Sequence, residues 1–194
     1  MRRGVLTGLD STDDPLLSDA ALVCAARADP AEFAALYRRY RDRIYAYLRT
    51  RTHTAEDAAD LTQQVFVQAL AALPRVRLEQ VTIAAWLVRI AHNLVATYHQ
   101  RYRSTLAWEY LPEALHPLAD DLEQLVERRE ALGWLLTAFR SCSPSAREVL
   151  ALHFAARLTV AETAAVVGRS EAAVKKQLTR TLHTLKEQYH DDQA

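Results

Sequence analysis

Between Arg169 and Lys186 the chain sets five basic residues against a single acid, Glu171. Lys175, Lys176, Thr179, Arg180 and His183 recur there at helical spacing, while Val174, Leu178, Leu182 and Leu185 form an apolar stripe on the other side. A basic, polar outer face of this kind holds phosphate by charge and reaches base edges by hydrogen bonds, the chemistry of a helix lying in the major groove of DNA. The preceding residues supply what such a helix needs. Val160, Ala164 and Val167 mark a shorter helix, Gly168 allows the positive-φ turn that ends it, and Ser170 can cap the next. Ala164, Gly168 and Val174 stand at the offsets of a helix-turn-helix: a small residue at the crossing, a turn glycine and a β-branched core residue. An ordinary helical hairpin with a solvated charged face shares the periodicity but does not require that turn, spacing and charge agree.

Two further stretches carry chemistry of their own. Asp60, Gln63, Gln64 and Gln68 make a polar face on a predicted helix, with Phe66 expected to break it as an exposed apolar residue, a mixed surface suited to a protein partner. Tyr98-His99-Gln100-Arg101-Tyr102-Arg103 interleaves basic and aromatic side chains, which can hold phosphate and stack on bases, although a frayed helix end has the same composition. Catalytic arrangements are missing. The seven histidines show no metal-ligand spacing, Cys24 and Cys142 lie far apart, and no nucleophile motif or phosphate-cradling glycine loop occurs. The sequence calls for no enzyme activity, no metal and no cofactor.

The elements that must position these residues are helical. The chain has 194 residues, half of them hydrophobic, only four glycines, and no alternating strand pattern of useful length. No apolar run approaches the ~20 residues of a membrane span, and Met1-Arg2-Arg3 leads into glycine, threonine and acids rather than a secretory core, so a cytoplasmic protein is expected. Net charge is zero, yet charge is patterned. Six arginines and one acid fall between Arg38 and Arg51, five arginines and one acid between Arg75 and Arg103, and seven acids with three arginines between Ser104 and Ser145.

Residues 1–17 read as a flexible tail. Ser18 or Asp19 caps a short helix. Asp29-Pro30-Ala31-Glu32 then starts a longer one with Phe33, Leu36, Tyr37, Tyr40, Ile44 and Tyr47 or Leu48 inward and the arginines outward. Thr54 opens the next, with Leu61, Val65, Ala69 and Leu73 as its stripe and Pro74 as its stop. Thr82 caps another, with Ile83, Trp86, Leu87, Ile90, Leu94 and Tyr98 inward. Residues 104–122, with Pro112, Pro117 and several acids, form a linker, and residues 123–190 a second helical domain, in which a helix over Leu122 to Arg140 is followed by another that starts at Ser143-Pro144. The expected fold is all-α: a three- to four-helix domain over 18–103 and a helix-turn-helix domain over 123–190.

With the motifs in place, two segments resemble one family. Residues 33–103, with A-E-D-A-A-D-L-T-Q-Q-V-F and A-A-W-L-V-R-I-A-H-N-L, are similar to the second conserved region of bacterial sigma factors, and residues 132–186 to their fourth. The short linker and missing first and third regions point to the extracytoplasmic-function group. The resemblance implies a protein that binds core RNA polymerase and directs it to promoters. It implies polymerase docking by Asp60, Gln63, Gln64 and Phe66, and capture of the minus-ten strand by Gln80, His92, Asn93, Tyr98 and Arg101. It also implies reading of the minus-thirty-five duplex by Glu171, Ala172 and Lys175, with Arg169, Lys176, Thr179 and Arg180 on phosphate. Members of the group are often held by an anti-sigma factor, which adds a regulatory partner to polymerase and promoter DNA.

This chain departs from the family pattern in four places. Gln64 stands where glutamate is frequent, and the 74–81 loop is more apolar and basic than usual. Ala155-Ala156-Arg157-Leu158 lacks the common glycine, and Ala172-Ala173-Val174 replaces a Gly-Thr-Val. A helix-turn-helix repressor or activator that never docks on polymerase is the competing reading. It accounts for residues 132–186 but leaves the first arginine cluster and the D-L-T-Q-Q-V-F face without a role.

Overall fold

The structure is a computed structural model, and it describes residues 18–77, 81–102, 134–135, 137–139 and 141–192. The expected tail, the linker and most of the helix expected before Ser143 lie outside these residues.

Four helices make the first unit: α1 (Asp19–Ala28), α2 (Phe33–Arg49), α3 (Ala55–Ala72) and α4 (Ile83–Tyr102). Their starts follow the sequence signals. The Ser18 hydroxyl accepts from the Ala21 N–H, and Asp29 accepts from the Ala31 N–H across a 3-10 turn, Pro30–Glu32, that leads into α2. Thr54 and Thr82 accept from the N–H groups of Asp57 and Ala85 at the heads of α3 and α4. α3 stops at Ala72, ahead of Pro74, and Arg27 of α1 donates to the carbonyls of Leu73 and Val76 just past that end. Leu36, Ile44, Leu48, Val65, Leu87 and Val88 are buried at the centre, and both Tyr47 and Leu48 face inward. On α4 the fully buried row is Leu87, Val88, Ala91 and Val95, with Trp86, Ile90 and Leu94 only half-buried beside it.

The second unit comprises α5 (Pro144–Leu150), a π-turn over Ala151–Ala155, α6 (Val160–Val167) and α7 (Glu171–Asp192). Val149, Leu150, Ala164, Val174, Leu178 and Leu185 pack into its own core with Ala138. Leu182, expected in that stripe, is exposed, because the buried line of α7 runs through Val174, Leu178 and Leu185 with Thr181 half-buried between them. No strand occurs among the described residues.

The two units touch. Ala151, Leu152, Ala156, Leu158 and Val166 of the second belong to the same buried cluster as the core of the first. α4 lies against α6, and α2 against the π-turn.

Candidate functional site

The outer face of α3 carries Asp60, Gln63 and Gln64, all exposed as the sequence expects. Glu56 and Asp57 in its first turn complement the helix dipole. Phe66 corrects the expectation. It is 5% exposed and meets Tyr37 and Phe33 edge-on at 4.8 Å and 6.3 Å between ring centroids. The buried face of α3 is two rows wide, since Ala58, Thr62 and Phe66 run beside Leu61, Val65 and Ala69. The apolar residues that do break the polar face are Val67, 68% exposed, and Leu70, 40% exposed. The signal for them in the sequence is their helical spacing from Gln63 and Gln64, which a one-row apolar stripe does not include.

On α4 the minus-ten candidates separate. Asn93 is exposed. Tyr98 is 6% exposed, and its hydroxyl donates to Asp57 at 2.9 Å and accepts from the His53 N–H at 3.2 Å. It therefore ties α4 to the head of α3, as its inward placement predicts, and this burial corrects its expected place among the residues open to the minus-ten strand. His99 Nε2 lies 2.9 Å from the Arg51 carbonyl oxygen, and desolvation holds the imidazole below its usual value. Gln80 lies outside the described residues; Arg101 falls in the last turn of α4, with its side chain outside them.

The arginine cluster that the sequence places outward on α2 is solvated only in part: Arg38 and Arg41 are exposed, and the others are partly or fully buried. Arg39 pairs with Asp19 at 3.1 Å and Arg41 with Asp42 at 2.8 Å. Arg49 and Arg51 are 2% and 8% exposed. Arg43 donates to the carbonyls of Ala156 and Arg157, the latter at 2.7 Å, and so grips the end of the π-turn in the second unit.

His92 has an unexpected neighbourhood. Its Nδ1 lies 3.0 Å from a carboxylate oxygen of Glu148, and the Tyr47 hydroxyl donates to the same oxygen at 3.3 Å. Arg51 donates to the other oxygen at 2.9 Å. Desolvation pushes the Glu148 carboxyl up, but the His92 hydrogen bond and the Arg51 charge outweigh it, and the group titrates below the usual range. Burial and the adjacent carboxylate push the Tyr47 phenol well above its usual value.

The helix-turn-helix is built as its residues dictate. Thr159 and Glu162 form a capping box at the head of α6, a T-x-x-E signal present in the sequence but not used. Gly168 ends α6 at φ 66°, and the Ser170 hydroxyl accepts from the Ala173 N–H at 3.3 Å. Val174 and Ala164 are buried at the crossing. Arg169, Glu171, Ala172, Lys175, Lys176, Thr179 and Arg180 are all exposed. Ala172, Lys175, Lys176, Thr179, Arg180 and His183 line one shallow groove along α7. Arg169 bends back, donating to Ser145 at 3.3 Å and to Gln177. It thereby braces α7 against the head of α5. Among the described residues no cluster of His, Cys, Asp or Glu is placed to hold a metal ion, and no helix is long and apolar enough to cross a membrane.

Comparison with known proteins divides the chain along the same two units. Residues 36–105 match Sigma-70 region 2, and residues 132–185 match Sigma-70, region 4. The chain is 33% identical over 174 residues to the ECF RNA polymerase sigma factor BldN of Streptomyces coelicolor, a match spanning 88% of this chain and 66% of BldN. It is 32% identical over 156 residues to the RNA polymerase sigma factor YlaC of Bacillus subtilis, spanning 78% of this chain and 88% of YlaC. Among solved structures it shares its fold with CnrH, in a structure of CnrH in complex with the cytosolic domain of CnrY. There the TM-score is 0.65 at 22% identity, covering 90% of this chain and 98% of that one.

Proposed function

The chain belongs to the sigma-70 family of RNA polymerase sigma factors, in its extracytoplasmic-function group, and we propose that it docks on core RNA polymerase, recognises minus-ten and minus-thirty-five promoter elements and directs transcription initiation. The observation that supports this most is the presence of both matched regions in one chain, in order, each on a unit whose exposed residues suit its task. Residues 18–103 serve as the promoter-opening domain and 123–190 as the duplex-reading one. The protein acts as a regulator of transcription and not as an enzyme, in the cell interior where polymerase works.

Asp60, Gln63 and Gln64 make the polar part of the polymerase-docking face, with Val67 and Leu70 as its apolar anchors. Asn93, His92, Gln80 and Arg101 serve the opened strand, by amide and imidazole hydrogen bonds to bases and by charge on the backbone. On α7, Glu171, Ala172 and Lys175 near its N-terminus face base edges, while Lys176, Thr179 and Arg180 hold phosphate. An anti-sigma factor that covers the α3 face is the fitting regulatory partner.

Core polymerase binding, followed by fluorescence anisotropy of the labelled chain, tests the docking face. Val67→Asp is expected to weaken binding about tenfold or more with folding intact. Unchanged binding in Val67→Asp and Gln63→Ala alike contradicts the assignment. A repressor acting without polymerase would show no binding at all.

A further inference from the structure

Glu148 of the second unit is the one acid in a cluster whose other members come from the first. Tyr47 and Arg51 approach it from the end of α2, and His92 from the middle of α4. Arg147, beside it on α5, is held below its usual value first by burial and then by the Arg51 charge. Around Glu148 the junction is partly polar: Arg43 donates to the Ala156 and Arg157 carbonyls, and Thr82 donates to Glu162. The apolar part is made of small or medium side chains, Ala151, Leu152, Ala156, Leu158 and Val166. A junction of this composition resembles a transient interface more than a permanent core, since its charges regain water when it parts.

We propose that Glu148 is an intramolecular latch: its carboxylate fills an anion site formed by Tyr47, Arg51 and His92 and holds the two helical units closed in the free chain. Closure leaves His92 engaged with Glu148 and buries the end of α2, so an edge of α4 next to Asn93 is withheld until the units part. That second consequence rests on the proposed role of α4 in capturing promoter DNA; the latch itself does not. The physical asymmetry is clear. With the carboxylate removed, the closed form keeps the Arg51 guanidinium buried without its counter-charge, whereas the open form hydrates it, so the equilibrium moves to the open form.

The test uses the full chain alone, with fluorophores on Cys24, which is exposed on α1, and on Gln188→Cys, exposed on α7, in a Cys142→Ser background. The native junction is expected to give one short-distance population. Glu148→Gln, nearly the same size and without the charge, is expected to raise the open-to-closed ratio about tenfold or more while helical circular dichroism stays unchanged. Arg43→Met, which removes the tie to the π-turn, is expected to shift the ratio in the same direction and gives the reading should Glu148→Gln fail to fold. A long-distance population in the unmodified junction, or an unshifted distribution in both folded variants, overturns the latch. Binding of a single-stranded promoter probe is then compared between the Glu148→Gln and unmodified chains. Tighter binding by the opened variant supports the withheld edge. Equal binding by an opened variant removes that consequence and leaves the latch standing.

Discussion

Arg157 adopts φ 50°, the only positive-φ residue besides Gly168 among the described residues, and it stands in the Ala155–Leu158 turn where the family pattern has a glycine. A side chain in that region costs roughly 1–2 kcal/mol, and a glycine returns part of this to unfolded-chain entropy. Arg157→Gly is therefore expected to stabilise the protein by about 0.5 kcal/mol in urea unfolding; a destabilised variant contradicts the strain. Phe66 and Val67 make an opposed pair of adjacent residues. Phe66→Ala removes a ring packed against Tyr37 and should cost about 3–5 kcal/mol. Val67→Ala should leave the urea midpoint within about 0.5 kcal/mol, since that side chain faces solvent. Equal losses at both positions would mean the helix is rotated from its observed setting. Glu148 sets a pH dependence. Its folded carboxyl titrates below the unfolded value of 4.5, so its contribution is present above that pH. On acidification the unfolded chain takes up the proton first, and stability falls as pH drops from 4.5 through the lower folded value. Glu148→Gln should flatten the urea-midpoint profile in that window, and an unchanged slope would contradict the coupling. Sequence could not supply this hub, because Tyr47, Arg51, His92 and Glu148 are brought together only by tertiary packing.

At the scale of elements, helix starts were readable because capping is local. Ser18, Asp29, Thr54, Thr82, Ser143 and Ser170 each accept from an N–H two or three residues on, so the signal and its structural consequence share one short segment. The α6 to α7 turn was readable for the same reason. Gly168→Ala is expected to cost about 1–2 kcal/mol through its φ of 66°, although open space surrounds the added methyl group. A neutral effect in thermal unfolding would contradict the left-handed turn. Helix rotation was less legible. On α3 the buried strip is broader than one apolar row, so Phe66 lies inside it and Val67 and Leu70 face out, whereas Tyr98 on α4 is inward as its spacing predicts. The arginines of α2 were misjudged for a related reason. Charge predicts exposure on average, but Arg49 is buried at the end of α2, and Arg51, two residues on, is buried where Glu148 of the second unit meets it.

For the whole molecule, the helical class and the helix-turn-helix were legible in composition and periodicity, whereas the junction between units was not. Its bonded partners lie 56 to 114 residues apart, and alanines and leucines such as Ala151 and Leu152 carry no mark that distinguishes an inter-unit contact from a private core. The functional reading also belongs to this scale, since neither unit alone selects a promoter for polymerase. Run-off transcription on a promoter-DNA library, with core RNA polymerase in the presence and absence of this protein, tests it most directly. The account predicts new start sites that depend on the protein, share minus-ten and minus-thirty-five sequences, and weaken together when Gln63 and Val67 are replaced. Duplex binding by the chain with no protein-dependent start on any promoter would contradict it.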